Sequence, residues 1–182
     1  MDDLIRLIED TEANSRRLLT DAEVLMRLRR SHSSVSLAVQ ALEEFGKALI
    51  LRWGVQNMAH KRPPNHVEKQ SATFALLSAH ELTDKNGKQL ARLQTRDDVD
   101  LLNVGPYSHQ FAQARAGFYE NLRMSVTYED KTPIFPNEVI EKISPGFAKE
   151  VIGYTKKARV AARKPIAMKL AAIFYTHNLA RM

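Results

Sequence analysis

Glu43, Glu44 and Lys47 fall within one turn of a stretch whose apolar residues recur at helical spacing. Val35, Leu42 and Leu49 carry the period, with Val39, Phe45 and Trp53 beside them. Glu43 precedes Lys47 by four residues, the favoured order for a helical ion pair. In open solvent such a pair contributes roughly 0.3 kcal/mol. Gly46 stands between them, where alanine would be about 1 kcal/mol better in a helix. A glycine there admits a second backbone at close range, which would partly bury the pair and hold it poised. Further along, His60 and Lys61 add a titrating imidazole and a fixed positive charge, suited to a phosphate or an acidic partner.

Arg27 and His32 are a second pair with chemistry in reach. Histidine can move a 2′-hydroxyl proton near neutral pH while arginine stabilises the phosphorane charge, so together they can cleave RNA without a metal. Their place in a run of basic residues at a turn suits decoration of that turn better than a site. Arg115 and Tyr119 are four apart and could stack guanidinium on phenol. Other chemistries find little support. Gly46-Lys47 is not a phosphate loop, because Ala41 stands where the upstream glycine should be and the segment is helical. No Glu-x-x-His occurs, and His80-Glu81 has no second histidine at zincin spacing. His60, His66 and His80 could meet in space, but neither a metal nor any other cofactor is expected.

These residues need helices to position them. Asp2 to Arg30 reads as one long amphipathic helix or two in tandem, with Leu4, Ile8, Leu18, Ala22 and Leu25 on a stripe that the polar Thr11 and Ser15 interrupt. Thr20 with Glu23 has capping-box form and could start a second helix. Arg29 to Ser34 makes a hairpin turn with a serine capping the central helix, so the two long helices pack antiparallel. The central helix is read to about Lys61, stopped by Pro63-Pro64. Asn65 then caps a third helix to about Leu82, with Val67, Phe74 and Leu77 inside. Thr83 to Gly87 is turn chemistry, followed by a weak helix from Lys88 to Leu102. Pro106 opens a further stripe through Tyr107, Phe111, Ala114, Phe118 and Leu122. Residues 126–136 predict a short hairpin or irregular insertion. Ser144-Pro145 opens a last helix with a kink or break at Lys164-Pro165.

The 182 residues suffice for one domain with a sizeable core. Without cysteine there is no disulfide or thiolate metal site. The acidic, amphipathic start is unlike a signal peptide, and no apolar run reaches a membrane span, so a cytoplasmic, membrane-free protein is expected. Net charge is +6, and from Lys142 onward nine Lys or Arg face the single acid Glu150. Such a face attracts polyanions or simply solubilises.

The run Leu42-Glu43-Glu44-Phe45-Gly46-Lys47-Ala48, then His60-Lys61, then Gly117-Phe118-Tyr119, resembles the AbiV-type abortive infection proteins of the all-helical HEPN superfamily. Asn14 to Met26 is similar to that family's first helix, and the chain from Pro136 to its closing segment. After Tyr119 the family tends to continue valine-aspartate, whereas Glu120-Asn121 stand here. HEPN ribonucleases carry their Arg-x(4–6)-His late in the fold, while Arg27 and His32 come early, so that catalysis is not carried over. The resemblance implies an all-α, HEPN-like bundle on a long antiparallel hairpin, and a phage-defence protein arresting growth or translation. It would bind RNA, the translation machinery or a phage protein; a metal-independent endoribonuclease toxin is the alternative. Glu43, Glu44, Lys47, His60, Lys61, Arg115 and Tyr119 are the candidate site residues. In one straight helix Glu43 and His60, 17 residues apart, would be separated by about 25 Å. Either the helix bends near Gly54 or the groups meet across a homodimer, the arrangement common among HEPN-like proteins.

Overall fold

A computed structural model describes residues 2–54, 63–90 and 145–179, all of whose regular structure is helical. Helix α1 spans Asp2–Arg27, α2 Ser31–Trp53, α3 His66–Leu90, α4 Pro145–Ala161 and α5 Pro165–Leu179. All but the first three residues of Lys88–Leu102, the stripe after Pro106, and the insertion at 126–136 lie outside the described residues.

The long hairpin is present, with α1 as one uninterrupted helix of 26 residues. Asp2 and Asp3 in its first turn and Arg27 in its last complement the helix dipole. Thr11 and Ser15, read as gaps in the apolar stripe, are instead buried within it. Ser15 Oγ donates to the Ala41 carbonyl of α2 at 2.7 Å, and from the other side Ser34 Oγ donates to the Ala22 carbonyl of α1 at 2.7 Å. Each hydroxyl finds its acceptor on the facing helix, so burial costs it no hydrogen bond. No serine caps α2: the helix already starts at Ser31, which leaves Arg30 at the cap position without a side-chain bond, and Ser34 lies inside the helix. The turn closes on backbone bonds from Arg29 N to Met26 O (3.0 Å) and Arg30 N to Leu25 O (2.9 Å), a Schellman pattern. Arg29 takes the left-handed position that glycine usually fills, at φ 59°.

α2 is the axis of the bundle. Buried residues from Ser34 and Val35 through Leu42 and Phe45 to Leu51 cover most of its circumference and leave one partly open stripe through Ser33, Gln40, Glu44 and Lys47. It ends at Trp53, not near Lys61, because Gly54 turns left-handed (φ 67°) and its N–H closes on the Leu51 carbonyl. After Pro63-Pro64, Asn65 caps α3 as expected. Asn65 Oδ1 accepts from Glu68 N at 2.9 Å, and Glu68 Oε2 accepts from Asn65 N at 2.8 Å, a reciprocal capping box. Val67 is exposed, against expectation. α3 also runs helically through Thr83 to Gly87, where a turn was expected. Extending a formed helix is cheap per residue, and one interior glycine costs only about 1 kcal/mol. The break at Lys164-Pro165 is real: residues 162–164 turn, and proline opens both α4 and α5.

Two apolar clusters flank α2. One joins its C-terminal half to α3, α4 and α5 through Phe45, Leu49, Leu76, Leu170 and Tyr175. The other joins its N-terminal half to α1, α3 and α4 through Leu18, Val35, Leu42, Phe74 and Val151. Fully buried alanines, among them Ala38, Ala41, Ala48 and Ala72, let the helices approach closely.

Candidate functional site

Gly46 explains the local geometry. A Cβ added there would lie 1.8 Å from the Lys69 carbonyl oxygen of α3, so the two helices cross with nothing but hydrogen between their backbones. Thr73 Oγ, one turn further on, donates to the Leu42 carbonyl at 3.1 Å. That crossing turns Glu43 toward α3, where it is buried at 8% exposure. Both its oxygens are engaged. Oε1 accepts from Gln70 Nε2 at 2.6 Å, and Oε2 lies 2.6 Å from His66 Nδ1.

His66 and Gln70 are four apart on one face of α3, which lets a single carboxylate reach both. Gln70 is buried at 1% exposure, and its Oε1 has no hydrogen-bond partner among the described residues. His66 differs, with a side chain 79% exposed. An ionised carboxylate only accepts, so Nδ1 carries the hydrogen in this contact and Nε2 is left for solvent or a ligand. The cluster therefore presents an imidazole whose orientation is set by a buried acid.

Glu44, one residue on, faces elsewhere. Its Oε2 accepts from Asn14 Nδ2 of α1 at 3.4 Å and lies 4.0 Å from Lys47 Nζ. The ion pair of this turn is thus Glu44–Lys47, at spacing three, and not the expected Glu43–Lys47. Adjacent residues diverge by about 100° around a helix, so α3 takes one glutamate and α1 with Lys47 the other. Of the other candidates, His60, Lys61, Arg115 and Tyr119 lie outside the described residues. The helix that carries Glu43 ends at Trp53.

Arg27 and His32 flank the α1–α2 turn, and no hydrogen bond joins them. His80 turns to Lys164, whose Nζ is 3.4 Å from its Nδ1, and stands apart from His66 in its contacts. No group of three His, Asp or Glu that could hold a metal forms among the described residues. No described helix is long and apolar enough to cross a membrane.

Sequence reading missed His66 and Gln70 as partners of Glu43. The available signal was their shared face directly after the Asn65 cap, but the contact spans 23 and 27 residues. It also missed an accumulation of arginines at α1, α2 and α4. Arg52 pairs with Glu12 at 2.7 Å, while Arg159 lies over the Phe45 ring, its Cζ 5.6 Å from the centroid. Burial, then the neighbouring Arg16, pulls the Arg159 guanidinium below its ordinary pKa.

Compared with known proteins, the chain matches the HEPN-type family described as AbiV over residues 3–145, from the start of α1 to the first residue of α4. No curated protein matches it, and no solved structure does.

Proposed function

We propose that this chain, which belongs to the AbiV family of HEPN-type proteins, acts in phage defence by abortive infection. It arrests growth or translation in infected cells by binding, its partner being RNA, the translation machinery or a phage product. The site is the α2–α3 crossing with its neighbours on α2: Glu43 as the positioning acid, His66 as the presented group, and Glu44 and Lys47 beside them. The observation that carries this is the pairing of a buried carboxylate with an exposed imidazole, Glu43 Oε2 to His66 Nδ1 at 2.6 Å. Packing alone asks for neither. Binding is preferred to cleavage because no described arginine touches His66. An imidazole oriented by a carboxylate is nevertheless what a general base requires, and that contact supports a metal-independent endoribonuclease as second reading.

The protein works in the cytoplasm as a homodimer through helices of its first half. In support, Leu4, Ile5 and Leu7 at the start of α1 are 47%, 51% and 44% exposed, an apolar surface suited to a second copy. Light scattering that gives a monomer at micromolar concentration removes the dimer. The function is tested by plating phages on bacteria expressing the chain at matched levels. Wild type should lower plating efficiency, and His66→Ala should restore it with little change in Tm. Full resistance in His66→Ala and Glu43→Gln together would end the assignment of this site.

A further inference from the structure

We propose that Arg16, Arg52, Arg159 and Arg163, gathered where α1 and α2 meet the C-terminal end of α4 and the turn after it, bind backbone phosphates of a nucleic acid. This rests on the binding mode of action above and selects nucleic acid among its partners. It concerns a surface separate from the α2–α3 crossing. Arg159 and Arg163 also lie past residue 145, beyond the family match.

Arg159 is the anchor. Its guanidinium lies over the Phe45 ring, Cζ 5.6 Å from the centroid, and Nη1 is buried without a hydrogen-bond partner among the described residues. The residue is only part-buried, so some of the side chain still meets solvent. A cation held over an aromatic face keeps its position, and arginine's planar fork then suits a phosphate. The charges around it deepen the deficit of anion. Arg16 and Arg163 both act on Arg159 unfavourably, and the offsetting charge is Glu12. That carboxylate is already engaged by Arg52 at 2.7 Å. Of the charges that act on Arg159, two are cations and one is an acid, and that acid also serves Arg52.

Two cations beside the cluster on α1 and α4 do have partners: Arg17 pairs with Asp21 at 3.9 Å, and Lys156 with Glu23. Arg16 and Arg163 have no ion-pair partner among the described residues, though both are exposed and long enough to find one. A chain of phosphates supplies single negative charges at regular intervals to arginines on separate helices. It does so whatever the base sequence.

The test uses the full chain and a labelled single-stranded oligoribonucleotide, with a deoxyribonucleotide of equal length and polyglutamate as the other arms. Binding is followed across a salt series for wild type and for Arg16→Ala/Arg163→Ala. Both substituted side chains are exposed, so the fold should survive; unchanged circular dichroism and Tm check this, and Arg159→Lys probes the anchor without removing its charge. Losing two contacts should cut the slope of log affinity against log salt by about 1.4. RNA affinity should fall by about tenfold or more at moderate salt. Arg159→Lys should also weaken binding, because lysine lacks the planar fork. Preference for RNA over DNA names RNA as the partner, and equal binding names the phosphate backbone of either; both support the site. If wild type binds RNA and the double variant matches it in affinity and slope, the cluster is overturned while RNA binding stands. If wild type binds neither nucleic acid, both are overturned. Polyglutamate binding as tight as RNA would overturn the assignment to phosphate.

Discussion

The two sides of α2 handle charge in opposite ways. Toward α3, Glu43 is buried but held on both oxygens, and Gly46 and Thr73 bring the backbones together around it. Toward α1 and α4, Glu12 pairs with Arg52 and is the acid that offsets Arg16 and Arg163 around Arg159, one of whose guanidinium nitrogens is buried without a partner among the described residues. The first region spends its polar groups on one another and releases a single oriented imidazole. The second keeps positive charge unneutralised at the junction of three helices. A close crossing stabilises the fold; the exposed arginines rely on solvent and stay available to an anion from outside.

Substitutions should separate the two regions sharply. The largest effect is expected for Gly46→Val. With a Cβ at 1.8 Å from a backbone oxygen, the helices must part, at a cost of about 3 kcal/mol or more. In a chain of this length that lowers Tm by about 6–12 °C in a thermal melt. An unchanged Tm would mean that α2 and α3 do not cross there. Next comes Glu43→Ala, which strands the buried Gln70 amide and costs about 1–3 kcal/mol. Glu43→Gln keeps an acceptor for that amide and should cost less. His66→Ala, with its exposed ring, should stay within about 0.5 kcal/mol. If Glu43→Ala and His66→Ala melted alike at the wild-type temperature, the crossing would not depend on the acid.

The arginine side should show the reverse sign. Arg16→Ala/Arg163→Ala removes two like charges and should leave Tm unchanged or raise it by no more than about 2 °C, most at low salt. A fall as large as that of Glu43→Ala would make the cluster part of the fold and erase the contrast.

The smallest effect concerns Tyr154 of α4, which packs edge-on against Phe74 of α3 at 5.6 Å. Burial, then its hydrogen bond to Glu150, pushes its hydroxyl from 10.0 up to about 12. The folded state thus keeps a proton that the unfolded chain gives up first. This stabilisation is fully present below pH 10.0 and is lost as pH rises through about 12. Tyr154→Phe should therefore lose less stability than wild type over that range in urea melts. Parallel curves would show that the hydroxyl does not hold its proton.

Much of this frame was legible in the sequence because it rests on local rules. The apolar stripes of α1 and α2, the Pro-Pro-Asn65 start of α3 with Glu68 in place, and the prolines opening α4 and α5 all act within a few residues. Gly46 was legible as an exception, a poor helix former in a strong helix, and the Lys69 carbonyl supplies its reason. What stayed hidden depends on which helix a side chain meets. Glu43 and Glu44 are adjacent and identical, yet one meets α3 and the other α1. Thr11 and Ser15 read as breaks in a stripe until Ala41 offers Ser15 an acceptor. The arginine cluster assembles from three helices, and no spacing along the chain announces it.

Whether the chain binds its target or cuts it is decided most directly by incubating the purified protein with total RNA, with and without EDTA, and following both RNA length and RNA bound. Growth arrest by binding predicts RNA that stays full length under both conditions while migrating with the protein. Fragments that accumulate equally with and without EDTA, and disappear with His66→Ala, would contradict it and establish a metal-independent ribonuclease.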